Sequence, residues 1–147
     1  MTSPFISICI PAYKRVNFLK RLLNSIEIQS FANFEVIISD DSGDNSVEAL
    51  IQEFNHKFTI CYFKNEKPLG TPANWNHAIS QARGEWIKII HDDDWFAETD
   101  SLEKFANLTK TNSKFIISAY INNNEDSKNN EVVLFPSKSK NRILKNP

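Results

Sequence analysis

Glycine is scarce in this chain: 147 residues hold only Gly43, Gly70 and Gly84. None follows the first apolar run, residues 5–10, which continues instead into Pro11-Ala12-Tyr13. A dinucleotide-binding βαβ unit needs a glycine-rich turn at that point so that the backbone can approach a pyrophosphate, and a Walker-type phosphate loop needs one too. Both are excluded. Cysteine is equally sparse. Cys9 and Cys61 each lie inside an apolar run, which reads as two buried thiols and not as a disulfide framework or a zinc site. Charge of one sign is missing as well: 17 Lys and Arg stand against 18 Asp and Glu, for a net charge of −1. No basic field therefore marks a nucleic-acid binder. No apolar run is long enough to cross a bilayer, and Met1-Thr2-Ser3-Pro4 lacks the basic region of an export signal. The expected location is the cytoplasm, with peripheral attachment at the inner face of a membrane left open.

What is present is an ordinary globular composition, 41% apolar and 24% charged, with eleven Phe and three Trp. Residues 5–10, 34–39, 58–63 and 87–90 read as strands. The first is expected to stop at Pro11. Between the strands, Phe18, Leu19, Leu22, Leu23 and Ile26 recur at helical spacing, then Val47, Leu50, Ile51 and Phe54, then Trp75, Ala78, Ile79 and Ala82. Asn17 is a candidate cap for the first helix, Asp44, Asn45 or Ser46 for the second, and Pro72 a first-turn residue for the third, with Gly84 as its stop. Residues 101–108 read as a further helix and 115–121 as a fifth strand. An Asn-rich turn follows, residues 131–135 are a candidate hairpin return, and 137–147 form a basic tail. The alternation β-α-β-α-β-α-β predicts a parallel sheet with helices on both faces. Right-handed crossovers then bring the loops after strands one, two and four to one edge.

The fourth strand ends in His91-Asp92-Asp93-Asp94. Adjacent carboxylates repel unless a cation or solvent relieves them. Hard oxygen donors suit Mg²⁺ or Mn²⁺, and a solvated acidic turn capping the next helix explains the triplet equally well. A phosphate-accepting receiver domain is disfavoured, because the acids follow strands two and four and no Lys stands plainly at a later strand end. His56 and His77 lie at and on helices and suggest no hydrolytic triad.

Four segments carry a resemblance. Ser7-Ile8-Cys9-Ile10-Pro11-Ala12-Tyr13-Lys14-Arg15 is similar to the opening strand and loop of family 2 glycosyltransferases of the GT-A fold. Phe34-Glu35-Val36-Ile37-Ile38-Ser39-Asp40-Asp41-Ser42-Gly43-Asp44 resembles their second strand and acidic turn. Asn65 through Asn76, with Ala82-Arg83-Gly84-Glu85-Trp86-Ile87, resembles their third segment, and Ile90-His91-Asp92-Asp93-Asp94-Trp95 sits where the family carries its D-x-D motif. The match runs in order from Phe5 to about Phe96.

The resemblance implies an open, mainly parallel GT-A sheet over residues 1–147, a single nucleotide-sugar-binding domain that ends after the fifth strand or a following hairpin and is incomplete at its C-terminus. It implies a metal-dependent, inverting glycosyltransferase that moves a sugar from a nucleotide-diphosphate sugar, a UDP-sugar first, to a glycan or lipid-linked acceptor in cell-surface polysaccharide synthesis. A non-catalytic nucleotide-binding or interaction module of the same fold is the alternative. By the same resemblance Pro11, Ala12 and Tyr13 line the base pocket, and Asp41 accepts a base N–H. Arg15 is a candidate phosphate contact, with a solvated helix-start Arg as the other reading. Gly70 allows a tight turn near the donor, Asn74 and Asn76 point to it, and Asp92 meets the ribose or the metal. Asp93 is the first metal ligand for Mn²⁺ or Mg²⁺, with Asp92 and Asp94 beside it. His91 departs from the family's first acid. Trp75 stands where the family often has a basic residue, and its place in the apolar pattern assigns it to the core. Glu125, Asp126 and Glu131 do not resemble the family's catalytic base, which is expected beyond Pro147. Apolar surface left open there is expected to favour self-association.

Overall fold

The computed structural model describes residues 3–111, 114–122 and 131–133. The expectations for the Asn-rich turn and for the tail at 137–147 lie outside the described residues, as do those for Glu125 and Asp126. Two compact units divide the chain, Met1–Ala106 and Asn107–Pro147.

The first unit is a four-stranded parallel sheet in the order β3-β2-β1-β4. Its strands are β1 (Ile6–Ala12), β2 (Phe34–Asp40), β3 (Ile60–Lys64) and β4 (Trp86–Ile89). The helices between them are α1 (Val16–Glu27), α2 (Ser46–Gln52) and α3 (Ala73–Ser80), and α4 (Ser101–Thr109) follows β4. Strand side chains alternate between faces. Ile6, Ile8, Ile10, Val36 and Ile38 turn to one face and pack with Leu19, Leu22, Leu23 and Ile26 of α1, with Val47, Leu50 and Ile51 of α2, and with Leu102 and Ala106 of α4. Cys9 and Ile37 turn to the other face and meet Ala78 of α3. Helices thus cover both faces, as the β-α alternation predicts.

Several local expectations change. Pro11 does not end β1, which runs on to Ala12 and pairs Pro11 with Ser39 of β2. A proline lacks the ladder N–H, and here nothing is lost. β4 pairs with β1 only as far as Cys9, so the side of Pro11 that carries no N–H faces no strand. Asn17 lies inside α1, whose N-cap position is Arg15. Phe18 is exposed, and Ser25 joins the buried face in its place. Asp44 does act at the start of α2, where its Oδ1 accepts the Ser46 amide at 2.9 Å. Burial pushes the Cys9 thiol up to about 12. Cys61 lies two strands away across Ile37, a spacing of roughly 9–10 Å that no disulfide spans.

In the second unit, residues 115–119 are not strand. Only β5 (Tyr120–Asn122) is, and it pairs antiparallel with β6 (Glu131–Val133) in a separate two-stranded sheet. The expected return strand is present, but among the described residues the parallel sheet has four strands.

At the amino ends of the strands Glu35 is buried, 1% exposed. Its carboxylate accepts the Ser7 hydroxyl at 2.7 Å, the Arg83 amide at 2.9 Å and Arg83 Nε at 3.0 Å. Burial raises its pKa, but the bonds from Arg83 and Ser7 outweigh burial and hold it below the ordinary value of 4.5. A carboxylate depressed in the folded state contributes stability that is full above its unfolded value and is lost as pH falls through its folded value. Glu35→Gln is therefore expected to cost about 2 kcal/mol at pH 7 and to flatten the loss of stability below about pH 4.5, read from urea unfolding midpoints between pH 3 and 7.

Candidate functional site

The strand order reverses at β1, with β2 and β3 on one side and β4 on the other. Connections leave such a point toward opposite faces, so a crevice opens at the carboxyl ends of the strands. Three loops meet there. The Asp41 amide donates to Ala12 O at 3.0 Å, the Lys14 amide to Ser42 Oγ at 2.8 Å, and the Tyr13 amide to Asp92 Oδ2 at 3.0 Å. Lys14 holds φ at 60°, a left-handed conformation that costs a side-chain-bearing residue about 1–2 kcal/mol. The turn places Tyr13 and Arg15 on the same cavity.

That cavity, about 380 Å³, is lined by Pro11, Ala12, Tyr13, Arg15, Asp41, Pro68, Gly70, Thr71, Asn74, Trp75, His91 and Asp92. Its size suits a small-molecule site. A broader groove of about 690 Å³ along β3, lined by Tyr62, Lys64, Lys67 and His77 among others, contains none of the nucleotide- or metal-site residues expected from the sequence.

Asp41 is buried and does something the sequence did not reveal. Its Oδ1 accepts Asn65 Nδ2 at 2.8 Å and the Leu69 amide at 3.1 Å, and its Oδ2 accepts the Gly70 amide at 2.9 Å. It clamps the 65–70 loop against the sheet. Gly70 has φ of +70° and nothing near its would-be Cβ, so backbone conformation, not crowding, is what requires glycine there. Asp40 braces the preceding turn, with Oδ1 accepting the Ser42 amide at 2.8 Å and Oδ2 accepting the Tyr62 hydroxyl at 2.8 Å.

The acidic cluster is divided in role. Asp92 is buried. Burial pushes its carboxyl up, against the Tyr13 amide and the Arg15 guanidinium, which pull it down. Asp93 is half-exposed and paired with Arg15 Nη1, whose Nε also lies 3.7 Å from Asp92 Oδ1. Asp94 is exposed, and its amide donates to His91 O at 3.1 Å. It does not cap the next helix, because α4 begins at Ser101. Neither Asp93 nor Asp94 lines the cavity itself; Arg15 connects Asp93 to it. Among the described residues no three His, Cys, Asp or Glu side chains surround a common point.

On α3, Asn76 is exposed and off the cavity, while Asn74 is buried and lines it. Asn74 Oδ1 accepts Asn65 Nδ2 at 3.1 Å. Of the two asparagines expected to point to the donor, Asn74 is thus the one on the cavity, and its four-residue spacing from Ala78 keeps it on the sheet-facing side. Trp75 is not core packing. It is half-buried, lines the cavity, and meets the His91 ring at a centroid distance of 4.7 Å and 80° between planes.

The arrangement is an aromatic and backbone-lined cavity at a sheet switch point, with acids and one guanidinium at its edge. A sequence profile for Glycosyl transferase family 2 matches residues 7–146. Abequosyltransferase RfbV of Salmonella typhimurium is 39% identical over 101 residues, 66% of this chain and 30% of the relative. The GalNAc(5)-diNAcBac-PP-undecaprenol beta-1,3-glucosyltransferase of Campylobacter jejuni is 31% identical over 93 residues, 62% of this chain and 30% of the relative. S. aureus TarS 1-349, solved in complex with UDP-GlcNAc, superposes with a TM-score of 0.66 at 27% identity, covering 72% of this chain and 31% of that one. The chain spans about 30% of the length of these curated relatives. Its parallel sheet is that of GT-A glycosyltransferases, and with the family profile running almost from end to end, the chain belongs to glycosyl transferase family 2.

Proposed function

We propose that the cavity binds a nucleotide-diphosphate sugar, a UDP-sugar first, as the donor site of an inverting glycosyltransferase. The acceptor is a glycan or a lipid-linked saccharide in surface polysaccharide synthesis, worked on at the inner face of a membrane. The observation that carries this reading is the meeting of the Tyr13 loop, the Asp41-clamped loop and the Asp92-Asp93 turn around one cavity at the β1 switch point. Tyr13 offers an aromatic face to a base. A carboxylate has roughly four acceptor positions, and the loop occupies three of those on Asp41. One remains for the N–H of uracil, thymine or guanine. UDP-GlcNAc in TarS and the lipid-linked acceptor named for the Campylobacter enzyme point the same way.

A divalent cation of the Mn²⁺ or Mg²⁺ type fits Asp93. Its oxygens are hard donors, partly open to solvent, and already draw a positive group, the Arg15 guanidinium. One or two carboxylates completed by substrate phosphate and water is a usual Mg²⁺ arrangement. Asp93 would hold the ion, with Asp92 and Asp94 next to it in the turn. When bound, the ion would stabilise charge on the departing diphosphate. Arg15, now paired with Asp93 at the cavity edge, would then be available to a phosphate oxygen, while Asp92 holds the Tyr13 loop by accepting its amide.

The test is titration calorimetry with UDP, TDP and GDP, with and without Mn²⁺. Binding of UDP that strengthens about tenfold or more with Mn²⁺, and that loses this gain in Asp93→Ala, is expected. A folded sample that binds none of the three, with or without metal, would sink the donor-site reading. Nucleotide binding with no transfer from the full-length chain would favour the non-catalytic alternative.

A further inference from the structure

The groove along β3 and the cavity share one segment of chain. Asn65 and Leu69 line the groove, while Gly70 and Thr71 line the cavity. His77 of α3 lines the groove and not the cavity. A row of side-chain contacts nonetheless runs from it to the cavity wall. His77 Nδ1 lies 2.8 Å from Ser39 Oγ, Asn65 Nδ2 lies 3.2 Å from the same oxygen, and Asn65 Nδ2 donates to Asp41 Oδ1 at 2.8 Å.

Ser39 is fully buried, at 0% exposure. A hydroxyl has one hydrogen to give, and a buried one needs a partner for it. Of its two side-chain neighbours, the Asn65 amide nitrogen only donates, so the hydrogen goes to His77 Nδ1. His77 is then a neutral imidazole with its proton on Nε2, and the hydroxyl turns its lone pairs to Asn65. Asn65 Nδ2 also donates to Asn74 Oδ1 at 3.1 Å. These oxygens fix the amide, because a turned-over amide would set its own oxygen against the Asp41 carboxylate and the Asn74 carbonyl.

We infer that His77 is a positioning residue for the donor site: by accepting the Ser39 hydroxyl at Nδ1, it holds the Asn65 amide on Asp41. The inference rests on the nucleotide-sugar reading above, in which Asp41 keeps one acceptor position for a base N–H. Without an acceptor at Nδ1 the buried hydrogen is left facing Asn65. The amide must then move off or turn over, and in either case Asp41 Oδ1 loses its 2.8 Å bond.

The experiment measures affinity by calorimetry with whichever of UDP, TDP and GDP binds the unmodified protein, and circular dichroism establishes that each variant is folded. His77→Phe keeps a ring against Phe63 and removes the acceptor. It is expected to weaken binding about tenfold. His77→Asn carries Oδ1 as many bonds from the backbone as Nδ1, and should bind within about twofold of the unmodified protein. Ser39→Ala should lose only about threefold, because it removes the hydrogen along with the bond. Added to His77→Phe, it should bring the tenfold loss back to about threefold. Unchanged affinity in folded His77→Phe overturns the inference. So does a folded His77→Asn as weak as His77→Phe, which would make ring packing the contribution of His77. If His77→Phe does not fold, Ser39→Ala decides: a loss of about tenfold or more there marks a lost contact and not a stranded hydrogen, and overturns the inference as well. Binding of no diphosphate by the unmodified protein removes the nucleotide-sugar reading, and this inference with it, and is distinguishable from each of these.

Discussion

Asp41→Ala is expected to weaken nucleotide-diphosphate binding about 100-fold and to lower stability by about 2 kcal/mol. The cause is the loop more than the lost charge. Asn65 Nδ2 and the amides of Leu69 and Gly70 all converge on this one carboxylate, and Pro68, Gly70 and Thr71 on that loop line the cavity. Without the carboxylate these donors turn to water and the cavity loses one wall. Partial solvent access at Leu69 limits the stability cost. Asp41→Asn is expected to fail nearly as badly, since one of its two terminal groups must set an NH₂ against an N–H. Asp44→Ala is the control: Asp44 is exposed and serves only the start of α2, so nucleotide affinity should stay within about twofold. Calorimetry with UDP and urea unfolding measure both effects. Full nucleotide affinity in Asp41→Ala would dissociate the clamp from the site.

Gly84→Ala should cost about 3 kcal/mol or more, enough to leave a domain of ordinary stability partly unfolded. A Cβ at Gly84 would sit 2.6 Å from Ser7 N, 2.7 Å from Ser7 Oγ and 2.9 Å from Ile6 C. Two of those three atoms are backbone of β1, which is hydrogen-bonded on both sides and cannot shift without disturbing the sheet. The Gly84 amide also donates to Ser7 Oγ at 2.8 Å, beside the Glu35–Arg83 pair. The urea midpoint measured by circular dichroism reads the effect. An unchanged midpoint would mean that the β4 approach yields more than this packing allows.

Gly84 also shows what a sequence pattern conceals. From its position it reads as the stop signal of α3. The helix ends at Ser80, with Gln81 as its C-cap, and the glycine serves a close approach between segments 77 residues apart. Trp75 shows the same limit. A large apolar residue at helical spacing reads as core, but α3 begins at Ala73 and turns Asn74 and Ala78, not Trp75, toward the sheet. A shift of one residue rotates a helix by about 100°, which exchanges a core position for a cavity position. The same rotation separates the two asparagines expected near the donor: Asn74 lines the cavity and Asn76 does not.

By itself the sequence determined the four strands of the parallel sheet and the helices between them, the parallel sense of that sheet and the edge to which the functional loops go, but not the fifth strand. Apolar periodicity and crossover handedness are local or near-local rules, and they act before any side chain meets a distant partner. It also placed Tyr13, Asp41, Asp92 and Asp93 in the loops that the structure brings together. Only the tertiary structure decided what each carboxylate does: Asp41 clamps a loop, Asp92 holds the Tyr13 turn, and Asp93 remains half-open at Arg15. A carboxylate's role depends on which N–H groups reach its oxygens and how much water is left around it. Both are set by chain segments 24 to 79 residues away, beyond what any local pattern encodes.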